Sequence, residues 1–264
     1  MKDALKNLER NGYHLENRFF TEDQANELKN ALLEIPEEST IKNEERSFHG
    51  SNTTLIPNII TYSESFINLA MNDKFISLAT DYFEPGQFPG EEDPFQLASM
   101  HARKVSKNAA QQQLHIDSRL CGANPPLVLQ VFIYLDDCLD DGSGATQVVP
   151  GSHDFKRYSN KSDYAKVKEL KAPKGSVIFL NANLFHGSSA KKTDGDRWII
   201  TLAYSRWWIR QSAAIPYFVG WPRELTDKEK RLFGFFNYGD SNNNNRHGAR
   251  GKLPTLVPKG HESG

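Results

Sequence analysis

His115 and Asp117 stand two apart in Gln113-Leu114-His115-Ile116-Asp117. On a β-strand, side chains two apart project to the same side, so an imidazole and a carboxylate there face together. Such a pair supplies two ligands to one face of a metal. A second histidine from a distant strand would complete a facial triad of two histidines and one carboxylate, leaving three coordination positions open. The triplet alone is a weak signal, because His14-Leu15-Glu16 has the same form in an N-terminal region where no metal is expected. The downstream sequence adds the weight. His186 follows a strand-like stretch in Gly175-Ser176-Val177-Ile178-Phe179-Leu180-Asn181-Ala182-Asn183-Leu184-Phe185-His186-Gly187-Ser188, and Arg197 stands eleven residues later at the start of another strand. A planar, permanently charged guanidinium suits bidentate capture of a carboxylate. Two histidines, an aspartate and an arginine on successive strands describe a metal that binds a dicarboxylic co-substrate.

The elements that must carry these residues are readable from apolar spacing. Leu5 and Leu8 lie on a short helix that Gly12 is placed to end, and residues 13–20 are a brief extended stretch. Thr21 opens a second helix, with Gln24 completing a capping box and Phe20 as the hydrophobic staple before it. Ala25, Leu28, Leu32 and Ile35 recur there at helical spacing, and Pro36 closes it. Residues 37–58 are polar and irregular. Helical spacing returns over residues 65–83, broken near Asn72-Asp73. Each helix has one apolar face and needs a partner, most naturally a sheet. From about residue 97 short strands alternate with turn signals. Residues 127–135, the longest apolar stretch, are rich in β-formers and interrupted by Gln130. Residues 140–144 form a turn; strands are expected over residues 145–149, 176–180 and 198–208. This spacing argues for an antiparallel barrel or sandwich buttressed by helices. Thr226 and Glu229 repeat the capping-box spacing at the start of a short helix that Gly234 can end, and the Asn-, Gly- and Arg-rich stretch after Asn237 is expected to be loop or lid.

Composition removes several classes of function. A chain of 264 residues is one large domain or two small ones. Hydrophobic residues at 38% and charged residues at 25% are ordinary for a globular protein, which excludes wholesale disorder and a collagen-like fibre. With 32 Lys and Arg against 33 Asp and Glu, no basic field exists for gripping phosphate backbones, and no nucleic-acid partner is expected. No segment is long and apolar enough to span a bilayer, and the N-terminus lacks the apolar core of a signal peptide, so neither a membrane partner nor export is expected. The two cysteines, Cys121 and Cys138, read as small near-core residues in a reduced, cytoplasmic setting.

Taken in order, these motifs resemble the phytanoyl-CoA dioxygenase-like family of iron(II)/2-oxoglutarate-dependent oxygenases. The resemblance runs from Asn11-Gly12-Tyr13 and Phe19-Phe20-Thr21-Glu22, through His115-Ile116-Asp117 and Gly144-Ala145-Thr146-Gln147-Val148-Val149-Pro150-Gly151-Ser152-His153, to the block from Lys174-Gly175 through His186 to Arg197. Trp221-Pro222 and Leu232-Phe233-Gly234-Phe235 are similar to bacterial members. It implies a mainly β fold with flanking helices: a double-stranded β-helix, a cupin-like jelly-roll barrel buttressed by N-terminal helices. Residues 1–264 then form a single oxygenase domain, with 1–96 as the helical buttress, 97–210 as the barrel core and 211–264 as C-terminal helix and lid. The resemblance implies that His115, Asp117 and His186 bind Fe(II). Arg197 would hold the distal carboxylate of 2-oxoglutarate, Ser188 would be a second donor, and Phe132 would wall the co-substrate pocket. Dioxygen is the second co-substrate; 2-oxoglutarate becomes succinate and carbon dioxide as an unactivated C–H bond of a small molecule is hydroxylated. Halogenating relatives have a small residue where Asp117 stands, so hydroxylation is favoured here. A monomer or dimer is the ordinary expectation.

Other readings compete. His115 and Asp117 can be a buried structural pair, and Arg197 a surface ion pair with Asp194 or Asp196. His153 is expected to be structural because Pro150-Gly151 makes a turn there. His101 and Arg103 face either a substrate or the barrel surface. His49, His247 and His261 are expected to be solvated, the late aromatics to pack the core, and Arg206 and Arg210 to bind substrate or cap the sheet edge. The runner-up function is a cupin-like metal-binding protein, an isomerase or sensor, that does not use 2-oxoglutarate. A catalytically silent module keeping only the fold is a third.

Overall fold

The computed structural model describes residues 2–43, 51–87 and 93–237. The histidines His49, His247 and His261, Tyr238 and the stretch after Asn237 lie outside the described residues.

The polypeptide opens with helix α1 (Lys2–Asn11), strand β1 (Tyr13–Glu16) and helix α2 (Glu22–Leu33). Gly12 stops α1 at φ +79°, and a Cβ at that position would sit 2.6 Å from Leu184 Cδ1 and 2.7 Å from His153 Nδ1. The capping box expected at the start of α2 is formed by Thr21 and Gln24. Helices α3 (Glu64–Ala70) and α4 (Asp73–Phe83) are separated at Asn72, whose side chain caps α4 by accepting from the Lys74 and Phe75 amides. Helix α5 (Asp227–Leu232) begins with the Thr226–Glu229 capping box. The irregular stretch expected over residues 37–58 is corrected in its described part. It holds strands β2 (Ile41–Asn43) and β3 (Thr53–Ile56), too short for a period-two signal to stand out from polar neighbours.

The remaining strands are β4 (Phe95–Val105), β5 (Gln112–His115), β6 (Val128–Tyr134), β7 (Thr146–Val148), β8 (Lys168–Leu170), β9 (Val177–Asn181), β10 (His186–Ser188) and β11 (Arg197–Arg206). They form a seven-stranded sheet in the order β1-β9-β6-β11-β4-β3-β2 and a four-stranded sheet in the order β5-β10-β7-β8. All described pairings are antiparallel.

The large sheet is covered on both sides, which explains its nearly continuous apolar strands. Leu129, Val131 and Ile133 of β6 point outward and join one core with Phe66, Phe75, Leu78 and Phe83 of the helices. Phe132 and Tyr134 alternate inward and join a second core with Val148, Leu170, Ile178, Leu180 and Ile199, packed between the sheets. Tyr134 also stitches the sheets. Its hydroxyl donates to Leu170 O at 3.0 Å and accepts from the Thr146 amide at 2.9 Å, and burial pushes the phenol up to about 12.

The small sheet presents its edge strand β5 to an excursion between β7 and β8. The Leu114 amide donates to the Tyr164 hydroxyl at 3.1 Å, and Ser159 Oγ donates to Leu114 O at 2.6 Å. Asp163, 1% exposed, anchors the excursion by accepting from both terminal nitrogens of Arg157 at 2.7 and 2.8 Å. That guanidinium, aided by the Asn160 amide, pulls the Asp163 carboxyl down to about 2. On the other side of β5, Gly187 of β10 lets the strands approach closely: a Cβ there would lie 2.6 Å from Gln112 O.

Gly187→Ala is expected to lower stability by about 1–3 kcal/mol, since backbone rather than a flexible side chain must yield. Urea denaturation checks it. Asp163→Asn is expected to cost about 1–2 kcal/mol at pH 7, the lower range because Arg157 is partly exposed. A depressed carboxylate contributes stability above its unfolded value near 3.8, lost as pH falls toward about 2. The gap between wild type and variant should therefore close from pH 4 to pH 2, which denaturation at the two pH values measures.

Candidate metal centre

His115 ends β5 and His186 begins β10, and the two are register partners in the small sheet. Their rings lie 4.2 Å apart between centroids. Each Nδ1 lies within hydrogen-bonding distance of the carbonyl two residues back, Gln113 O at 2.8 Å and Leu184 O at 2.9 Å. Donating Nδ1–H to a carbonyl leaves Nε2 with its lone pair free, the state a metal needs. Both Nε2 atoms point at Asp117, at 3.5 Å from Oδ1 for His115 and 3.4 Å from Oδ2 for His186. Among the described residues, the one group of three or more His, Cys, Asp or Glu side chains able to hold a metal is this one. The three donors are those of a facial set of two histidines and a carboxylate, and all three side chains line the cleft.

The strand-based expectation needs one correction. Asp117 lies beyond the end of β5, and its amide donates to Ala182 O at 2.9 Å in the turn joining β9 to β10. It reaches the metal position through that turn rather than through strand alternation. A register shift between His186 and Ser188 has a related effect, letting Gln112 and His115, three apart, both line the cleft.

The electrostatics follow from crowding. Burial alone would raise the Asp117 carboxyl, but the His186 and His115 imidazoles outweigh it and hold it well below the usual carboxylate range. Burial and the neighbouring His186 lower His115, whereas Asp117 lifts His186 above its ordinary value against burial. The Asp117 carboxyl is thus favoured in its charged form, and a divalent cation would satisfy all three groups together.

A cleft opens beside the triad, lined by His101, Arg103, Gln112, Thr146, Arg197 and Thr201 among others, with roughly 700 Å³ of empty space counting its open mouth. Arg197 is 3% exposed and donates to Gly144 O, while its Nε is buried with no hydrogen-bond partner. The surface-pair reading of Arg197 is overturned, because Asp194 pairs with Lys107 and Asp196 with Lys104. Ser188 Oγ is likewise buried without a partner at the cleft wall. Two such groups on one cleft wall are polar atoms that a bound polar molecule would satisfy. Phe132 lines the same cleft, its ring 5.8 Å from His186. The position of His101 and Arg103 is settled in favour of the cleft. Arg103 donates to Gln112 Oε1 at 2.6 Å, and burial together with Arg197 pushes it down to about 9.

Other sequence candidates sit elsewhere. His153 is within hydrogen-bonding distance of Glu9 O at 3.0 Å and is structural, and His14 meets Asn7 at 3.0 Å. Arg206 is fully buried and donates to the carbonyls of Pro126, Phe83 and Pro85, so neither substrate binding nor edge capping describes it. Cys121 and Cys138 are free thiols. Gln112, Thr146 and Thr201 were missed; only their parity with Arg197 and His101 across β4, β11 and the small sheet marks them.

Among the described residues no helix is long and apolar enough to cross a membrane. Comparison with known proteins agrees with the geometry. The chain is 23% identical to the dioxygenase FUM3 of Gibberella moniliformis over 200 residues, covering 72% of this chain and 66% of that protein. It is 24% identical to the dioxygenase ALT11 of Alternaria alternata, covering 72% and 65%. It therefore spans just under two thirds of the length of these curated relatives. Its fold matches HygX of Streptomyces hygroscopicus, solved with nickel and 2-oxoglutarate bound, at a TM-score of 0.65 and 17% identity, covering 80% of this chain and 89% of that one. The model of the phytanoyl-CoA dioxygenase (PhyH) family matches residues 8–199, a span holding the whole triad, Ser188 and Arg197, and the chain belongs to that family.

Proposed function

We propose that this chain is an iron(II)/2-oxoglutarate-dependent dioxygenase, a single-domain enzyme that hydroxylates an unactivated C–H bond of a small-molecule substrate while 2-oxoglutarate is converted to succinate and carbon dioxide. The observation that carries the reading is the convergence of His115 Nε2, His186 Nε2 and the Asp117 carboxylate beside a buried guanidinium whose Nε lacks a partner. HygX supports the choice of ligands, having been solved with iron, with nickel and 2-oxoglutarate, and with hygromycin B.

His115, Asp117 and His186 would hold the iron, which when bound supplies the redox chemistry that turns dioxygen against a C–H bond. The protein residues position and exclude. Arg197 seats the distal carboxylate of the keto acid, with its Nε and the Ser188 hydroxyl as donors already desolvated. Phe132 and Ile199 wall this part of the cleft and keep water from it. Asp117 occupies the position a halide would need, which favours hydroxylation. Leu55, His101 and Arg103 line the same cleft and are available to contact the substrate.

Anaerobic addition of iron(II) and 2-oxoglutarate is expected to give a weak visible charge-transfer band that Asp117→Ala abolishes. A wild-type protein without the band would refute the assignment. Arg197→Met is expected to weaken 2-oxoglutarate binding by roughly 10- to 100-fold, about 1.4–2.8 kcal/mol, with metal affinity unchanged. Calorimetric titration of the metal-loaded protein checks this; retained affinity in the variant would sink the clamp, and none in wild type would favour a metal protein that does not use the keto acid. Succinate release across candidate compounds then identifies the substrate.

A further inference from the structure

Gln130 is the polar residue that interrupts the longest apolar stretch of the sequence, and none of the roles above uses it. It sits in the middle of β6, the strand buried on both faces, and is 6% exposed. Its neighbours Leu129 and Val131 turn outward to the helices. Gln130 turns inward, opposite Ala203 of β11 and Leu180 of β9. There its Nε2 donates to Asp117 Oδ2 at 2.7 Å, while Oε1 is buried without a partner. The amide orientation is forced by chemistry. An ionised carboxylate only accepts, so turning Oε1 toward Asp117 would set two acceptors against each other. An amide buried with one half unsatisfied is costly. At a core position that suits leucine or methionine, it points to a task for the half that is bonded.

We propose that Gln130 is a positioning residue of the metal centre, whose side-chain amide holds Asp117 Oδ2 so that the carboxylate is presented to the metal through Oδ1. The inference rests on the metal-centre reading above. Its logic is geometric. Asp117 is beyond the end of β5 and its side chain is 34% exposed, so its backbone alone leaves the carboxylate free to rotate. His186 Nε2, at 3.4 Å, approaches the same Oδ2 in the absence of metal. A charge-assisted bond from a residue locked in a central strand fixes the plane of the carboxylate before metal arrives. It also opposes chelation through both oxygens, which would use up a coordination position that small ligands need.

The test is cobalt(II) titration of the full chain at pH 7.5, comparing wild type with Gln130→Met, which keeps length and volume and removes the donor. We expect the variant to bind cobalt about 10- to 100-fold more weakly, with an altered visible ligand-field spectrum reporting changed coordination. The metal-free variant should unfold at the same temperature as wild type or higher, because an unsatisfied buried amide has been replaced by an apolar side chain. A purely structural role predicts the opposite pattern, a lower unfolding temperature without metal. Cobalt affinity within twofold of wild type and an unchanged spectrum, or loss of stability in the metal-free state, would overturn the proposal. Failure of the wild type itself to bind cobalt would overturn the metal centre on which it stands.

Discussion

The pairing of β5 with β10 is the constraint on which the site depends. These strands are remote in sequence, yet their register sets His115 opposite His186 with ring centroids 4.2 Å apart. The approach is close because Gly187 has no side chain to strike Gln112 O. The neighbouring turn and the small-sheet wall of the cleft are arranged around this pair. The turn between β9 and β10 supplies Ala182 O to anchor Asp117, and the register shift in the same pairing turns Gln112 into the cleft. A fold that brings ligands together through one short ladder can vary its loops widely while leaving the metal geometry intact.

Charge gives the cluster its second constraint. His186 is buried and His115 nearly so, and Asp117, a third of its side chain exposed, lies against both, so that the three groups lower the cost of one another's charge. The two imidazoles bond backward to carbonyls of their own strands or turns, so each has a defined tautomer and a directed lone pair. The large sheet contributes the opposing wall, where Arg197 and Arg103 share one face across β4 and β11. The two arginines therefore come from one sheet and the two histidines from the other. The cleft between the sheets is where a ligand with both a chelating end and a carboxylate end fits.

Much of this was legible in the sequence. The capping boxes at Thr21 and Thr226, the break at Asn72 and the buried strand around residues 127–135 appear where local chemistry placed them, and the strand expected over 198–208 is found at Arg197–Arg206. So did the convergence of His115, Asp117 and His186, because ligand type and chain order are both encoded locally. What escaped depends on long-range register. Strands β2 and β3 are three and four residues long and are held by pairing, β3 with β4 and β2 with β3, rather than by their own pattern. The burial of Arg197, the turn-based route of Asp117 and the inward face of Arg103 all follow from sheet pairing, which one sequence does not display. The interruption at Gln130 was visible as an oddity, but its partner is thirteen residues away and out of period with it.

The excursion that seals β5 has a consequence for how the protein meets other molecules. An unprotected outermost strand invites main-chain addition by an extended peptide or by a neighbouring copy of the same protein. Here the outward amide and carbonyl of Leu114 are already taken by Tyr164 and Ser159, and Gln113 O by His115. Along the described part of β5, Leu114 therefore offers no vacant backbone group for β-augmentation. A molecule reaching β5 from this side meets side chains rather than main-chain groups.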